Sequence, residues 1–412
     1  MPVVFGGPHV SAVPERAIRE PAIDAVVEGE GEGALLDLVN CAEGERFGRS
    51  DIPNVTFKGL LVPRRNPVRP LIADLDTLPF AEKRGFYEAV PSFEREFYVM
   101  SRRGCPYRCS FCEYSTFPAQ YPGEKPVRRR SVANLLRELA GWRARGRMRK
   151  VFFWDAIFTL DQRWMDEFAE RYRAEIGVPF ECYTHPQTMT RAMAESLARA
   201  GCIMVRVGVQ SVNADTLTSM DRRGDLARVR DTLRHLAACG VPYSIDHILG
   251  LPGEGAADQI EALRFYNDVR PRRIVTHWMT YFPGTTALSQ AHQAGDLDDA
   301  ALARILDGDV GPGYMFDGNH RYRDHEELRR LSGVFDLLPL VPPAVIAWLL
   351  EDGRYRRLRG QGLLRQVGAA ALVLQGEPAT TEHMRHVFAA VLSATGDALR
   401  RRLDDLREVR HA

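Results

Sequence analysis

The chain has 412 residues, 45% of them hydrophobic and 26% charged, with a formal net charge of +1. That length exceeds one ordinary domain and can bury a large core, and the composition is that of a folded chain rather than a disordered one. A charge so close to zero supplies no global field for nucleic acid or an anionic membrane, so neither is an expected partner.

The first fifty residues read as part of a doubly wound α/β domain. Val3-Val4-Phe5 forms a short strand ended by Gly6-Gly7-Pro8, and Ala25-Val26-Val27 forms a second. It runs into Glu28-Gly29-Glu30-Gly31-Glu32 and a helix through Leu35, Leu36 and Leu38. Two βα units leave an open strand edge and no closed core. No charged n-region leads an apolar stretch after Met1, so no secretory signal is read there. Residues 51–90 are proline-rich and read as a connector, with a hairpin of Asn54 to Phe57 and Leu60 to Val62.

Residues 91–290 alternate strand and helix. The expected strands are Phe97 to Met100, Val151 to Trp154, Phe180 to Tyr183, Met204 to Val209, Tyr243 to Leu249 and Ile274 to Tyr281. Between them lie amphipathic helices capped by Ser131, Asp161 and Thr190, with Gly201 and Gly240 as stops. Strands separated by single helices make a parallel sheet with right-handed crossovers. Six such units predict an open, partial (β/α)6 barrel with its chemistry at the C-terminal strand ends. Residues 291–412 read as helical. The apolar run Leu337 to Leu350 is broken by prolines and too short for a bilayer, and Glu382 to Val409 is an amphipathic, arginine-rich helix. The fold class is thus α/β: a partial barrel with a truncated doubly wound segment before it and a helical region after it.

The chemistry concentrates in Arg103-Gly104-Cys105-Pro106-Tyr107-Arg108-Cys109-Ser110-Phe111-Cys112, directly after the first barrel strand. Thiolates are soft ligands that select iron–sulfur clusters, zinc or copper(I). A closed structural site wants four ligands, and the other cysteines, Cys41, Cys182, Cys202 and Cys239, are scattered singly. Three ligands leave one coordination position open, which suits reaction. A zinc site completed by a distant histidine is the competing reading. Cys182, Cys202 and Cys239 read as small buried residues.

The C-x3-C-x2-C spacing, with Phe111 before the last cysteine, resembles the signature of the radical S-adenosylmethionine (SAM) superfamily. The resemblance implies a [4Fe–4S] cluster held by Cys105, Cys109 and Cys112, with SAM on the fourth iron. It implies reductive SAM cleavage to start radical chemistry on an unactivated carbon of a small-molecule substrate. An electron donor such as flavodoxin or ferredoxin follows, as does a cytoplasmic location, where thiols stay reduced. Carried over motif by motif, it makes Phe111, Asp155, Gln210, Ser211, Gly250, Tyr281 and Pro283 the expected cofactor contacts. His247, His277, Tyr183 and His185 are further candidates for the lumen or its rim.

Val4-Phe5-Gly6-Gly7-Pro8-His9 and Val27-Glu28-Gly29-Glu30-Gly31-Glu32 are similar to the last two βα units of the cobalamin-binding domain that precedes many radical SAM barrels. An Asp-x-His-x-x-Gly segment is not found, and its place would lie before Met1. Cobalamin is therefore open but not expected: the segment is either a remnant or the end of a longer domain. A cobalamin-dependent methyltransferase and a non-catalytic metal- or corrinoid-binding protein are the alternatives.

Overall fold

A computed structural model describes residues 2–43, 51–59, 61–90, 95–222, 224–309 and 318–357. The stretch Glu382 to Val409 lies outside the described residues.

Twelve strands form three sheets among the described residues. The N-terminal sheet has β1 (Val4–Gly6), β2 (Ala25–Val27), β3 (Val55–Phe57) and β4 (Arg64–Arg65), in that spatial order. β1 and β2 are parallel, whereas β3 and β4 add antiparallel strands. Part of the stretch expected as a connector thus extends this sheet. Its hairpin uses Arg64–Arg65 as the second strand, because Leu61 and Val62 point into solvent.

The large sheet contains β5 (Glu96–Val99), β8 (Lys150–Phe153), β9 (Phe180–Thr184), β10 (Cys202–Gln210), β11 (Tyr243–Leu249) and β12 (Arg273–Trp278). All are parallel and lie in chain order from β5 at one edge to β12 at the other, so the barrel is open. β6 (Arg102–Arg103) and β7 (Arg128–Arg129) pair as a small antiparallel ribbon just beyond the end of β5.

The crossover helices start where their caps require. Ser131, Asp161 and Thr190 accept from the backbone N–H three residues on, each cap contributing about 1 kcal/mol. Gly201 closes the third of these helices in the left-handed conformation. One face of the sheet carries Phe97, Val99, Val151, Phe153, Phe180, Cys182, Val205, Val207 and Ile245 into the main core. There they meet Phe158, Trp164, Phe168 and Tyr172 in edge and stacked ring contacts. The alternate residues on each strand face the barrel lumen, as the period of two demands.

After residue 290 the described elements are helical. His325–Leu337 packs on the main core, and Pro343–Leu350 begins with its proline at the first helical position. No helix among the described residues is long and apolar enough to cross a membrane.

Candidate active site

The cysteine loop leaves β5 through Ser101 and Arg102, and both are held by one buried carboxylate. Asp155, just past β8, accepts at Oδ1 from Ser101 N (2.9 Å), Ser101 Oγ (3.0 Å) and Arg102 N (2.6 Å). Its burial pushes the carboxyl up to about 6, against the nearby Arg102 charge and these donors. The expected SAM contact is thus first a brace for the loop, although its Oδ2 is buried without a partner. Gly104 follows at φ +84°, where a Cβ would lie 1.9 Å from the Pro126 carbonyl, so only glycine lets the loop cross the ribbon.

Cys109 is buried and Cys105 and Cys112 are half-buried. Burial pushes the Cys105 thiol up and the Cys112 thiol to about 12, and in both cases the neighbouring thiols add to the rise. Cys109 lies close enough to act on both, and the three thiols of this one short loop are donors whose protons a metal displaces on binding. Among the described residues no three His, Cys, Asp or Glu side chains lie close enough to hold a single ion. Separate irons, one per thiolate, ask for wider spacing than one tetrahedral zinc tolerates. The residues fit a cluster. Ser110 anchors the loop between two helices, its N–H donating to Met220 O at the end of Ala214–Ser219 (2.9 Å) and its carbonyl accepting from Ala287 N in the first turn of Thr286–Gln293 (3.0 Å).

Arg222, not singled out in the sequence, donates from Nη1 to Cys109 Sγ at 3.4 Å and from Nη2 to the Gly208 carbonyl. Nothing marks it beforehand in so arginine-rich a chain. Tyr107 stacks on His185 at 4.1 Å. His185 is buried, accepts at Nδ1 from Gln187 N, and is pushed down to about 3 by burial and by Arg222.

The other expected contacts divide. Gln210 ends β10 at φ +72°, at an irregularity in the β10–β11 register, and its side-chain amide makes no hydrogen bond among the described residues. It remains available to a ligand. Asp246, register partner of Gly208 on β11, is buried on the lumen side with His277 Nε2 at 4.0 Å as its nearest charge partner. Burial pushes its carboxyl up, against the pull of His277 and Arg206. Periodicity along β11 does not by itself say whether Asp246 or neighbouring His247 faces in.

Ser211 requires a correction. Its hydroxyl donates to Glu254 and accepts from Asn213 N (2.9 Å), so it serves a buried chain rather than a ligand rim. Gln259 Nε2 donates to the same Glu254 (2.8 Å), and Gln259 Oε1 receives His247 Nε2–H (2.6 Å). His247 Nδ1 then accepts from the Tyr266 hydroxyl (2.9 Å). His247 therefore faces the helices, stacked on Phe335, while His277 faces the lumen. Gly250 and Tyr281 are tightly packed. Gly250, at φ +77°, makes room for the Tyr322 ring, which a Cβ would meet at 2.8 Å. Tyr281 is buried, with its backbone N–H and carbonyl both paired to the Asn319 amide (3.0 and 2.9 Å). Phe111 packs half-buried against Met220, Ile248 and Tyr281. Pro283 lies on the wall of a different space.

That space is a cavity of about 950 Å³ between the N-terminal sheet and the cysteine loop. The ends of β1 and β2 supply Gly7, His9 and Gly31, and the barrel supplies Gly104, Tyr114, Phe117 and Pro283. Beside it the Glu28–Glu32 turn clasps the barrel. Glu30 Oε1 accepts from Arg103 Nη1 (2.9 Å) and Arg128 Nη1 (2.7 Å), and its Oε2 from Ile72 N (3.0 Å). Glu32 holds the second Arg103 nitrogen at 2.5 Å. Gly29, at φ +69°, leaves room for Tyr121, whose oxygen accepts from Glu30 N at 3.0 Å. The N-terminal motif is wired directly to the residues that precede Cys105.

Residues 99–266 match the radical SAM superfamily. The chain's relatives include radical SAM proteins that depend on cobalamin. An uncharacterized methyltransferase of Pyrococcus horikoshii, PH0819, is 28% identical over 269 residues, covering 63% of this chain and 56% of the relative. The cobalamin-dependent radical SAM methyltransferase TokK of Streptomyces tokunonensis is 26% identical over 270 residues, covering 62% and 39%. The fold is that of the radical SAM methyltransferase TsrM of Kitasatospora setae (TM-score 0.60, 19% identity, 71% of this chain and 60% of that one). The cobalamin-dependent radical enzyme OxsB shares it too (TM-score 0.62, 15% identity, 80% and 53%). The chain spans about half the length of the curated relatives it matches, 56% and 51% in two cases.

Proposed function

We propose that the chain is a radical SAM enzyme acting on a small molecule, with Cys105, Cys109 and Cys112 holding a [4Fe–4S] cluster. The observation that carries this reading is the loop of three thiols tied by Arg222 to the end of β10, where the Gln210 amide and the buried Asp246 carboxyl also lie. With SAM bound, the cluster supplies the electron that initiates radical chemistry. The protein's own residues do the rest. Asp155 fixes the loop, Arg222 places positive charge and an N–H on Cys109, and hydrogen bonding to sulfur is one lever on a cluster's potential. Gln210 and Asp246 suit the polar groups of a nucleoside, and the lumen walls restrict water around the reacting centre. A small reductant such as flavodoxin or ferredoxin supplies electrons, and a reducing cytoplasm keeps the thiols free.

Anaerobic reconstitution followed by measurement of 5′-deoxyadenosine tests the reading; no product with a fully loaded cluster sinks it. Gln210→Ala should leave iron content intact and weaken SAM binding about tenfold, the effect of losing one hydrogen bond to a charged ligand.

A second reading is favoured by the cavity: cobalamin-dependent methyl transfer. Weak corrinoid binding was expected from the small number of βα units, but the ends of β1 and β2 open onto a large space facing the cysteine loop. Its volume is at the upper end for cofactor sites. Purification with hydroxocobalamin and a corrin spectrum after desalting decides it, stoichiometric retention supporting methyl transfer and its loss removing it.

A further inference from the structure

We propose that the lumen face of β5, β8 and β9 is a substrate platform that takes a planar aromatic or conjugated molecule. The proposal rests on the radical SAM reading and names the substrate class of that site.

Tyr98, Phe152, Trp154 and Tyr183 form one group of rings across three adjacent strands. Centroids are 5.5 Å apart for Tyr98–Phe152, 5.1 Å for Phe152–Trp154 and 5.5 Å for Phe152–Tyr183. Trp154 also meets Tyr98 and Tyr183, each at 5.8 Å. These rings are distinct from the core aromatics. Phe153, Phe158, Phe168 and Phe180 lie on the helix side and are fully buried, and none of the lumen four belongs to that core.

Core packing explains the first set and not the second. Trp154, just past the end of β8, is 52% exposed and carries the open surface of this ring group. Phe152 is buried and braces the group, while Tyr98, Trp154 and Tyr183 present surface.

The polar groups around the platform fix it in place. Arg206 on β10 lies over Phe152 (4.5 Å) and Tyr183 (5.7 Å), and its charge is met by Glu181 at 3.0 Å. Glu181 in turn holds Lys150, which also meets Glu96. This ion chain runs across the same face and leaves the rings rigid. A rigid ring wall loses little entropy when a flat ligand stacks on it. Offset and edge contacts between π systems add specificity beyond area alone. Trp154 immediately precedes Asp155, the brace of the cysteine loop, and its backbone N–H donates to Val99 O at the end of β5 (2.8 Å). A molecule lying on it is therefore held at the same strand ends as the thiols.

The test uses 2-naphthol and its saturated counterpart, decahydro-2-naphthol, titrated against the anaerobically reconstituted chain by saturation-transfer NMR. Both are neutral and carry one hydroxyl, so they differ in their π system. The expected result is at least tenfold tighter binding of the aromatic compound, with the preference lost in Trp154→Leu, a half-exposed position where folding is not at risk. Phe117→Leu, on the wall of the N-terminal cavity, should keep the preference. Equal binding of the two compounds, an unchanged preference in Trp154→Leu, or its loss in Phe117→Leu overturns the proposal. SAM cleavage by the unaltered protein is read separately, so failure of the enzyme reading and failure of the platform are told apart.

Discussion

The six-stranded sheet and the four-stranded N-terminal sheet differ in the size of the apolar core that holds them, the second having only small clusters such as that of Leu38, Val55 and Phe57. The first has strands of four to nine residues covered by helices, with aromatic side chains filling one continuous core. The second has strands of two or three residues, and Val3, Phe5, Leu35, Leu36 and Val39 stay exposed beside its edge. Burial carries the larger unit, whereas the smaller one is fastened to it by charge. Glu30 and Glu32 grip Arg103 and Arg128, and Arg16 reaches Asp307 on the far side. The contrast teaches that the N-terminal segment belongs to the site through a few specific pairs, and can be loosened without unfolding the barrel.

The sharpest break comes at the junction between the two. Cys109→Ala should abolish stable cluster incorporation, read as iron and sulfide content, because two remaining thiolates anchor a cluster poorly. Cys182→Ala, in the core of the large sheet, should leave iron content nearly unchanged. Zinc in anaerobically prepared protein supplied with iron would reverse the assignment.

Phe168→Ala attacks the burial side of the comparison. Its ring meets Phe153, Phe158, Trp164, Tyr172 and Phe180, so truncation should cost about 3–5 kcal/mol. At roughly 2–4 °C per kcal/mol for a large domain, thermal denaturation should show a fall of at least about 6 °C.

Glu30→Gln attacks the charged side and should do less to the melting temperature. The expected cost is about 1.5–3 kcal/mol, felt as faster hydrogen exchange in residues 25–29 and earlier cluster loss rather than global unfolding. Burial pushes the Glu30 carboxyl up, but the Ile72 N–H, Arg103 and Arg128 outweigh it and hold it below the ordinary 4.5. A carboxyl depressed in the folded state contributes its full stability above that value and loses it as pH falls through the folded pKa. The difference between Glu30→Gln and the unaltered chain should thus be present at neutral pH and close below 4.5. A constant difference across that range would separate the clasp from Glu30's charge.

Much of the site was readable because the thiols are contiguous in the chain. Cys105, Cys109 and Cys112 need one loop of eight residues, and the strand pattern around them already puts that loop at the C-terminal edge of a parallel sheet. Gln210 was expected in the same way, as a polar residue closing an apolar strand. Ser211 was misread because a hydroxyl at such a place looks identical in sequence whether it meets a ligand or a buried Glu254, 43 residues away. Asp246 was missed because alternation gives two faces without saying which one is the lumen.

The sequence by itself determined the order of strands and helices, their caps, and the cysteine spacing, since each depends on residues close together in the chain. Only the tertiary structure decided the use of the long-range polar groups. It turned Asp155 onto the backbone of the preceding strand end, brought Arg222 to Cys109 across 113 residues, and closed Glu30 on Arg103 and Arg128. It also sorted the aromatics, sending Phe153 and Phe168 to the core and leaving Trp154 in the lumen. The physical reason is one of range: dihedral preference and periodicity act over a few residues, whereas the partner of a buried charge is whatever the fold brings within about 3 Å.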